Sequence, residues 1–156
     1  MKTTMKRVLA VVLALSALVL CFASCGSSVT KLKVKVAIYG LTSGGEKELW
    51  IRNNEMEIEE GKTADDAVVA LCEARSVTYV KDQSGMFDSF KNSEGELKVP
   101  ETKALDNGTS EYYHFGWSLN GEIQSNIDNN KKLADHVLAD GDSIEIFIQK
   151  DVIKVE

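Results

Sequence analysis

A short apolar run near the N-terminus decides how much of this chain can enter a folded domain. Three cations, Lys2, Lys6 and Arg7, precede the thirteen uncharged residues from Val8 to Leu20. A basic segment followed by an apolar stretch of this length is typical of a secretory signal peptide. A transmembrane helix needs about 20 apolar residues to cross the hydrocarbon core, so a permanent anchor helix is the weaker alternative. The sequence therefore predicts that residues 1–24 are a signal peptide, removed on export.

The residues that follow this run, Phe22-Ala23-Ser24-Cys25-Gly26, resemble a bacterial lipobox, in which small residues precede a cysteine. In signals of that kind the cysteine thiol receives a diacylglycerol and becomes the new N-terminus. Two acyl chains give stable anchoring, because each buried methylene contributes about 0.8 kcal/mol. The resemblance implies lipidation of Cys25, a tether over 25–30 and a location on the extracytoplasmic face of the cell membrane. Cys21 is an alternative acceptor, but Leu20 before it is a poor match.

The chain that remains after cleavage is small and acidic. Its 132 residues suit one domain with its own core. Loss of the three N-terminal cations leaves 15 basic residues against 24 acidic ones, a net charge of −9. Nucleic-acid binding requires clustered Lys and Arg, whereas the alternating Lys31, Lys33 and Lys35 are typical of the solvated face of a strand. We therefore expect no nucleic-acid partner.

Local patterns predict strands and one main helix. Apolar and polar residues alternate over 31–38, as in a half-buried strand. A second strand over 49–58 changes its apolar parity, which indicates a bulge near Asn53-Asn54. Thr63 is a typical N-cap for a helix that ends near Arg75. Later strands are predicted at 77–80, 113–119 and 143–149, with a surface excursion over 91–110 and a hairpin turn at Asn120-Gly121.

The order of these elements predicts the fold class. Two strands, a helix and several further strands indicate an α+β domain over 31–156, in which a mainly antiparallel sheet packs on one principal helix in the manner of a β-grasp. On this helix we expect Cys72 to be a small buried apolar residue. A catalytic thiol would need a nearby base, and the chain offers His114 and His136 alone.

Several segments in a fixed order carry a resemblance to a known family. They are Leu32 to Tyr39, Glu60 to Ala67, Gly85-Met86-Phe87 with Asn92, Gly116 to Gly121, and Leu138 to Glu145. Their order and spacing over about residues 31–150 resemble the transcobalamin-like C-terminal domain. This domain occurs as a stand-alone module in many bacterial surface proteins of undefined function.

The resemblance implies a ligand. In the animal relatives the domain covers one face of a corrinoid, so a planar or amphipathic molecule is implied, with cobalamin as the named candidate. The implied ligand face consists of Gly85, Met86, Phe87, Trp117 and Asn120. The large helical domain that supplies the other half of the site in those relatives is missing from this chain, so tight binding would need a partner.

Two kinds of residue also have simpler interpretations. Trp117 shares its strand face with Tyr113, Phe115 and Leu119, and an aromatic stripe at this spacing is more often part of a core than a ligand platform. His114 lies on the opposite face, where a lone histidine is usually a surface residue. The aspartates near 128 and at 140–142 do not have the spacing of a calcium loop, so we predict no metal site.

These observations leave two main functional hypotheses. The sequence has no recognisable nucleophilic triad, phosphate-binding loop or metal-spaced histidine pair, so we predict that the protein is not an enzyme, with a hydrolase as a minor alternative. The first hypothesis is a surface ligand-binding module for a corrinoid or a similar small molecule. The second is a module for protein interaction or adhesion within the cell envelope, which would use a sheet edge and the 91–110 excursion.

Overall fold

The structure is a computed structural model that describes residues 29–105, 108–124 and 131–154. The predicted signal peptide, Cys25 and most of the tether lie outside these residues. The described part confirms the α+β class, because one main helix packs against a mixed sheet. None of its helices is long and apolar enough to cross a membrane.

The described chain forms strands and helices in the following order. The elements are β1 (Lys31–Leu41), β2 (Lys47–Glu59), α1 (Ala64–Ala74), β3 (Thr78–Lys81), β4 (Phe87–Lys91), β5 (Glu96–Lys98), β6 (Lys103–Ala104), β7 (Thr109–Leu119), β8 (Glu122–Ile123), a 3-10 helix (Leu133–Asp135) and β9 (Ser143–Lys154).

The strands form two sheets. The larger has the strand order β2-β1-β9-β7-β6, with β8 also pairing with β7, and the smaller has the order β3-β4-β5. Strands β1 and β9 run parallel at the centre, and every other described pair is antiparallel, as predicted.

The predicted bulge in β2 is confirmed by its register with β1. Val34 lies opposite Met56, whereas Val36 lies opposite Asn53, so the pairing shifts between these two positions. The Asn53 side-chain oxygen accepts a hydrogen bond from the N–H of Glu55 at 3.2 Å, inside the shifted segment. This bulge explains the change of apolar parity along the strand.

The predicted N-cap of α1 is also confirmed. The hydroxyl of Thr63 accepts a hydrogen bond from the N–H of Asp66, and the Asp66 carboxylate accepts one from the N–H of Thr63. This reciprocal pair is a capping box, which satisfies two backbone donors at the helix start. The bond from the Thr63 N–H, the largest influence, lowers the pKa of Asp66 below its usual value.

The core lies between α1 and the larger sheet. The helix contributes Ala67, Val68 and Leu71, all without solvent exposure, and β1 and β9 contribute their alternate apolar residues. Cys72 is equally buried, as predicted, and burial raises the pKa of its thiol to about 12. The thiol therefore stays protonated at neutral pH and packs as a small apolar group.

The smaller sheet covers the same face of the larger sheet beyond the helix. Phe90 on β4 packs edge-to-face against Phe115 on β7, with ring centroids 5.3 Å apart. Leu97 on β5 approaches β1 so closely that a Cβ at Gly40 would lie 2.8 Å from its Cδ1. A side chain at position 40 would therefore require the Leu97 side chain to shift.

The surface excursion predicted over 91–110 contains short strands. The segment is mostly exposed, as predicted, but it contains β5, β6 and the start of β7. Asn92 accepts hydrogen bonds from the N–H groups of Glu94 and Gly95 at 2.9 and 3.0 Å, which closes a tight turn between β4 and β5. Strands β5 and β6 are three and two residues long, which is too short for a pattern of alternation to indicate a strand.

Candidate functional site

The five residues implied as a ligand face do not line one cavity. Met86 and Phe87 line a groove beside β7, whereas Trp117 lines a separate cavity together with residues of the 3-10 helix. Gly85 lies in the turn before β4, and Asn120 lies in the turn after β7. The five residues therefore divide between two places in the fold.

Trp117 belongs to the core. Its side chain is 1% exposed, and its indole N–H donates a hydrogen bond to the carbonyl oxygen of Lys131 at 2.8 Å. Its ring centroid lies 6.2 Å from that of His136. Burial of the indole with its one donor satisfied is the arrangement expected of a structural tryptophan.

Asn120 joins the turn after β7 to the start of β9. With φ values of 52° and 85°, Asn120 and Gly121 form the two-residue hairpin turn predicted from the sequence. The Asn120 amide donates to Asp142 Oδ1 at 2.9 Å, and its oxygen accepts from the N–H of Ser143 at 2.9 Å. Both ends of this side chain are therefore occupied by bonds within the domain.

The cavity beside Met86 and Phe87 is the better candidate site. It lies between the start of β4 and the outer edge of β7, has a volume of about 270 Å³, and is called the β4–β7 groove below. Ligand cavities usually measure roughly 300–1,000 Å³, so this groove fits a small group or one part of a larger ligand. It is lined by Asp82, Ser84, Met86, Phe87, Asp88, Val99, Tyr112, Tyr113, His114, Phe115 and Asp151.

A rigid turn fixes one wall of the groove. The Asp82 carboxylate accepts hydrogen bonds from the hydroxyl and the N–H of Ser84 and from the N–H of Met86, at 2.7, 2.8 and 3.0 Å. The hydroxyl bond, the largest influence, lowers the pKa of Asp82 below its usual value. Gly85 has φ +87°, a conformation that favours glycine, so its role here is to aim Met86 and Phe87.

His114 and Asp151, which contact each other, form the opposite wall. His114 Nε2 lies 2.8 Å from a carboxylate oxygen of Asp151, and its Nδ1 lies 3.3 Å from the carbonyl oxygen of Phe115. The ring of Tyr112 stacks on the imidazole with centroids 5.7 Å apart. His114 is half-buried and not the surface residue predicted from the sequence, and Asp151 has no local signal because only the pairing of β7 with β9 brings the two together.

The groove combines apolar surface with negative charge. Phe87 and Met86 supply the apolar wall, while Asp82, Asp88 and Asp151 are acidic, and the described lining contains neither Lys nor Arg. No group of three or more histidine, cysteine or acidic side chains suited to a metal ion occurs within the described residues. This arrangement can hold an amphipathic molecule or a cationic group.

Comparison of the sequence with protein-family models gives no match, and a search of curated proteins finds no relative.

Proposed function

We propose that this protein is an exported bacterial lipoprotein, anchored through Cys25 to the extracytoplasmic face of the cell membrane, whose folded domain binds a ligand in the β4–β7 groove. It is a binding module and not an enzyme. The observation that carries the proposal is that Met86 and Phe87 lie together on the wall of this groove. Both belong to the ligand face that the family resemblance implies.

The topology supports a β-grasp of the transcobalamin-like kind. The antiparallel pair β1–β2 leads directly into α1, and the last strand, β9, returns to pair parallel with β1. This order places the helix across one face of a sheet whose central strands are the first and the last. A β-grasp has the same arrangement of its main elements.

The size of the groove limits how a corrinoid could bind. About 270 Å³ accommodates an edge or a side group of such a molecule and leaves most of it in solvent. Because affinity depends on how much of a ligand is enclosed, binding by this domain alone would be weak. Tight binding of cobalamin would then need a second protein that covers the exposed part.

We expect cobalamin or cobinamide to bind weakly, and to bind more weakly still when a side chain that lines the groove is shortened. In calorimetric titrations of the full chain in detergent, Met86→Ala should weaken binding roughly three- to tenfold, since a half-buried methionine loses its apolar contact. Leu119→Ala is the matched control, because half-buried Leu119 lines the separate cavity with Trp117. Equal effects of the two substitutions, or no heat from a folded protein, would contradict the corrinoid proposal.

We also expect lipidation to depend on Cys25. When the full chain is expressed in bacteria with labelled palmitate, Cys25→Ser should abolish incorporation and move the protein from the detergent phase to the aqueous phase. Loss of two acyl chains removes nearly all of the membrane affinity. Cys21→Ser is the matched control and should retain the label. Loss of the label from Cys21→Ser alone would assign the lipid to the rival cysteine.

A further inference from the structure

The outer edge of β7 is incompletely paired. On one side β7 pairs with β9 along its whole length. On the other side β6 pairs with Ser110 and Glu111, and β8 pairs with Ser118 and Leu119. Among the described residues, no strand lies against residues 112–115 on that side, and this stretch is called the β7 gap below.

The register fixes which backbone groups face the β7 gap. The carbonyl oxygens of Thr109 and Trp117 accept hydrogen bonds from Leu105 and Gln124 on this side, at 2.8 and 2.9 Å. In an antiparallel ladder, alternate residues direct their N–H and C=O groups to the same side. The N–H and C=O groups of Tyr113 and Phe115 therefore face the gap.

Most of these backbone groups make no hydrogen bond within the described domain, although Val99 and Pro100, which precede β6, lie close to Phe115 and Tyr113. His114 Nδ1 lies 3.3 Å from the Phe115 carbonyl oxygen, which accounts for one of them. The Tyr113 C=O and the N–H groups of Tyr113 and Phe115 have no hydrogen-bond partner among the described residues. An edge with a row of such groups is a template for the addition of another strand.

The gap and the groove form one continuous surface. Tyr113 and Phe115 line the β4–β7 groove, with Met86 and Phe87 on the side of the smaller sheet and Tyr112 on the other side. Successive side chains of an added strand would alternate between these two flanks. Four residues of strand span roughly 13 Å, so the gap accommodates a short segment with two or three main-chain hydrogen bonds.

The negative charge of the groove favours a basic partner. Three carboxylates, Asp82, Asp88 and Asp151, line the groove, and its described lining contains neither Lys nor Arg. Asp82 accepts bonds from its own turn and Asp151 lies against His114, so the exposed carboxylate of Asp88 is the one open to a cation. We propose that the β7 gap binds a short extended segment of a basic partner protein, in which apolar residues alternate with Lys or Arg. This inference rests on the proposed function, because it takes the β4–β7 groove as the binding site and names the kind of partner.

A synthetic pentapeptide of alternating valine and lysine, blocked at both ends, is the probe. Titration of the full chain in detergent by calorimetry should show saturable binding that weakens with added salt. The same peptide with N-methyl groups on the amides that would face β7 should bind about tenfold more weakly, because it cannot donate to the edge. A peptide with glutamate in place of lysine should bind at least as weakly as the methylated one.

Substitutions in the protein test the edge directly. Tyr113→Pro removes an N–H that faces the gap without removing a bond to β9, a position where an edge strand tolerates proline. It should weaken peptide binding about tenfold while the melting curve shows a folded protein. Asp88→Asn should weaken binding roughly two- to fivefold, and the control Glu73→Gln, on the exposed side of α1, should leave it unchanged.

The outcomes separate this inference from the proposed function. Equal binding of the methylated and parent peptides, or no saturable peptide binding to the folded protein, overturns strand addition. If cobalamin still binds in a manner sensitive to Met86→Ala, the groove proposal survives that result. If neither cobalamin nor peptide responds to groove substitutions, both proposals are wrong.

Discussion

Replacing Trp117 with alanine should lower the free energy of unfolding by about 3–5 kcal/mol, as large-to-small substitutions of buried aromatic residues do. The indole is almost completely buried beside Ile146, its cross-strand neighbour on β9, and it donates its N–H to the Lys131 carbonyl. The substitution would leave a cavity and remove this hydrogen bond. Urea denaturation of the full chain, followed by circular dichroism, measures the loss.

Two further variants divide this loss into its causes. Trp117→Phe keeps a ring in the core but removes the hydrogen bond, so it should cost less than the alanine variant. Trp50→Ala is the matched control, because Trp50 is only half-buried and its ring centroid lies 6.3 Å from that of Phe90. A loss below about 1 kcal/mol for Trp117→Ala would show that the indole is not part of the core. Because destabilisation alone could abolish ligand binding, Met86 is the better position for testing the groove.

Replacing Asp142 with asparagine should lower the free energy of unfolding by about 1–3 kcal/mol at neutral pH, although the two side chains have the same shape. One carboxylate oxygen accepts from the Asn120 amide, and the other accepts from the Ala139 N–H, both at 2.9 Å. An asparagine would direct its own NH₂ group at one of these donors. The turn between the 3-10 helix and β9, in which Asp142 is buried, would then lose a bond and gain a donor without an acceptor.

The same variant should lose less unfolding free energy than the wild type as the pH falls into the acid range. Burial acts to raise the pKa of Asp142, but the hydrogen bonds from Ala139, Asn120 and His136 outweigh it and hold the pKa below its usual value. The stabilising contribution is therefore complete above the unfolded-state pKa of about 3.9 and is lost as the pH falls through the lower folded-state pKa. The difference between the two proteins should shrink below about pH 4.

Urea titrations at several pH values test this expectation. Asp135→Asn, an exposed aspartate on the neighbouring 3-10 helix, is the matched control and should change neither the neutral stability nor the acid limb. The Asp142→Asn variant should still lose some stability in acid, because Asp66 and Asp82 also have lowered pKa values. A constant difference between wild type and Asp142→Asn from pH 7 to pH 2 would contradict the role given to this carboxylate.

Features of the fold with a local cause could be predicted from the sequence. The alternation in β1, the cap at Thr63 and the Asn120-Gly121 turn each depend on a few neighbouring residues, and the structure confirms all three. Strands β5 and β6 could not be found in this way. They are three and two residues long, and they depend on pairing with β4 and β7 and on the contact of Leu97 with β1, none of which a short pattern of residues reveals.

The two walls of the candidate site differ in the same way, since one depends on neighbouring residues and the other on residues distant in sequence. The wall with Met86 and Phe87 follows from a local turn and was reached through the family resemblance. The opposite wall needs His114 beside Asp151, a contact across the β7–β9 register between residues far apart in the chain. The separation of Trp117 from Phe87 has a similar cause, because the length of β7 carries Trp117 away from the groove and under the 3-10 helix.

The parallel pairing of β1 with β9 has a consequence for how the chain reaches this fold. Val36 lies beside Ile144, so the central contacts of the sheet join residues more than a hundred positions apart. Folding rates fall as the average sequence separation of contacts rises, which predicts slow folding. Because β9 supplies the partner of both β1 and β7, the larger sheet can be completed only when this last strand is present.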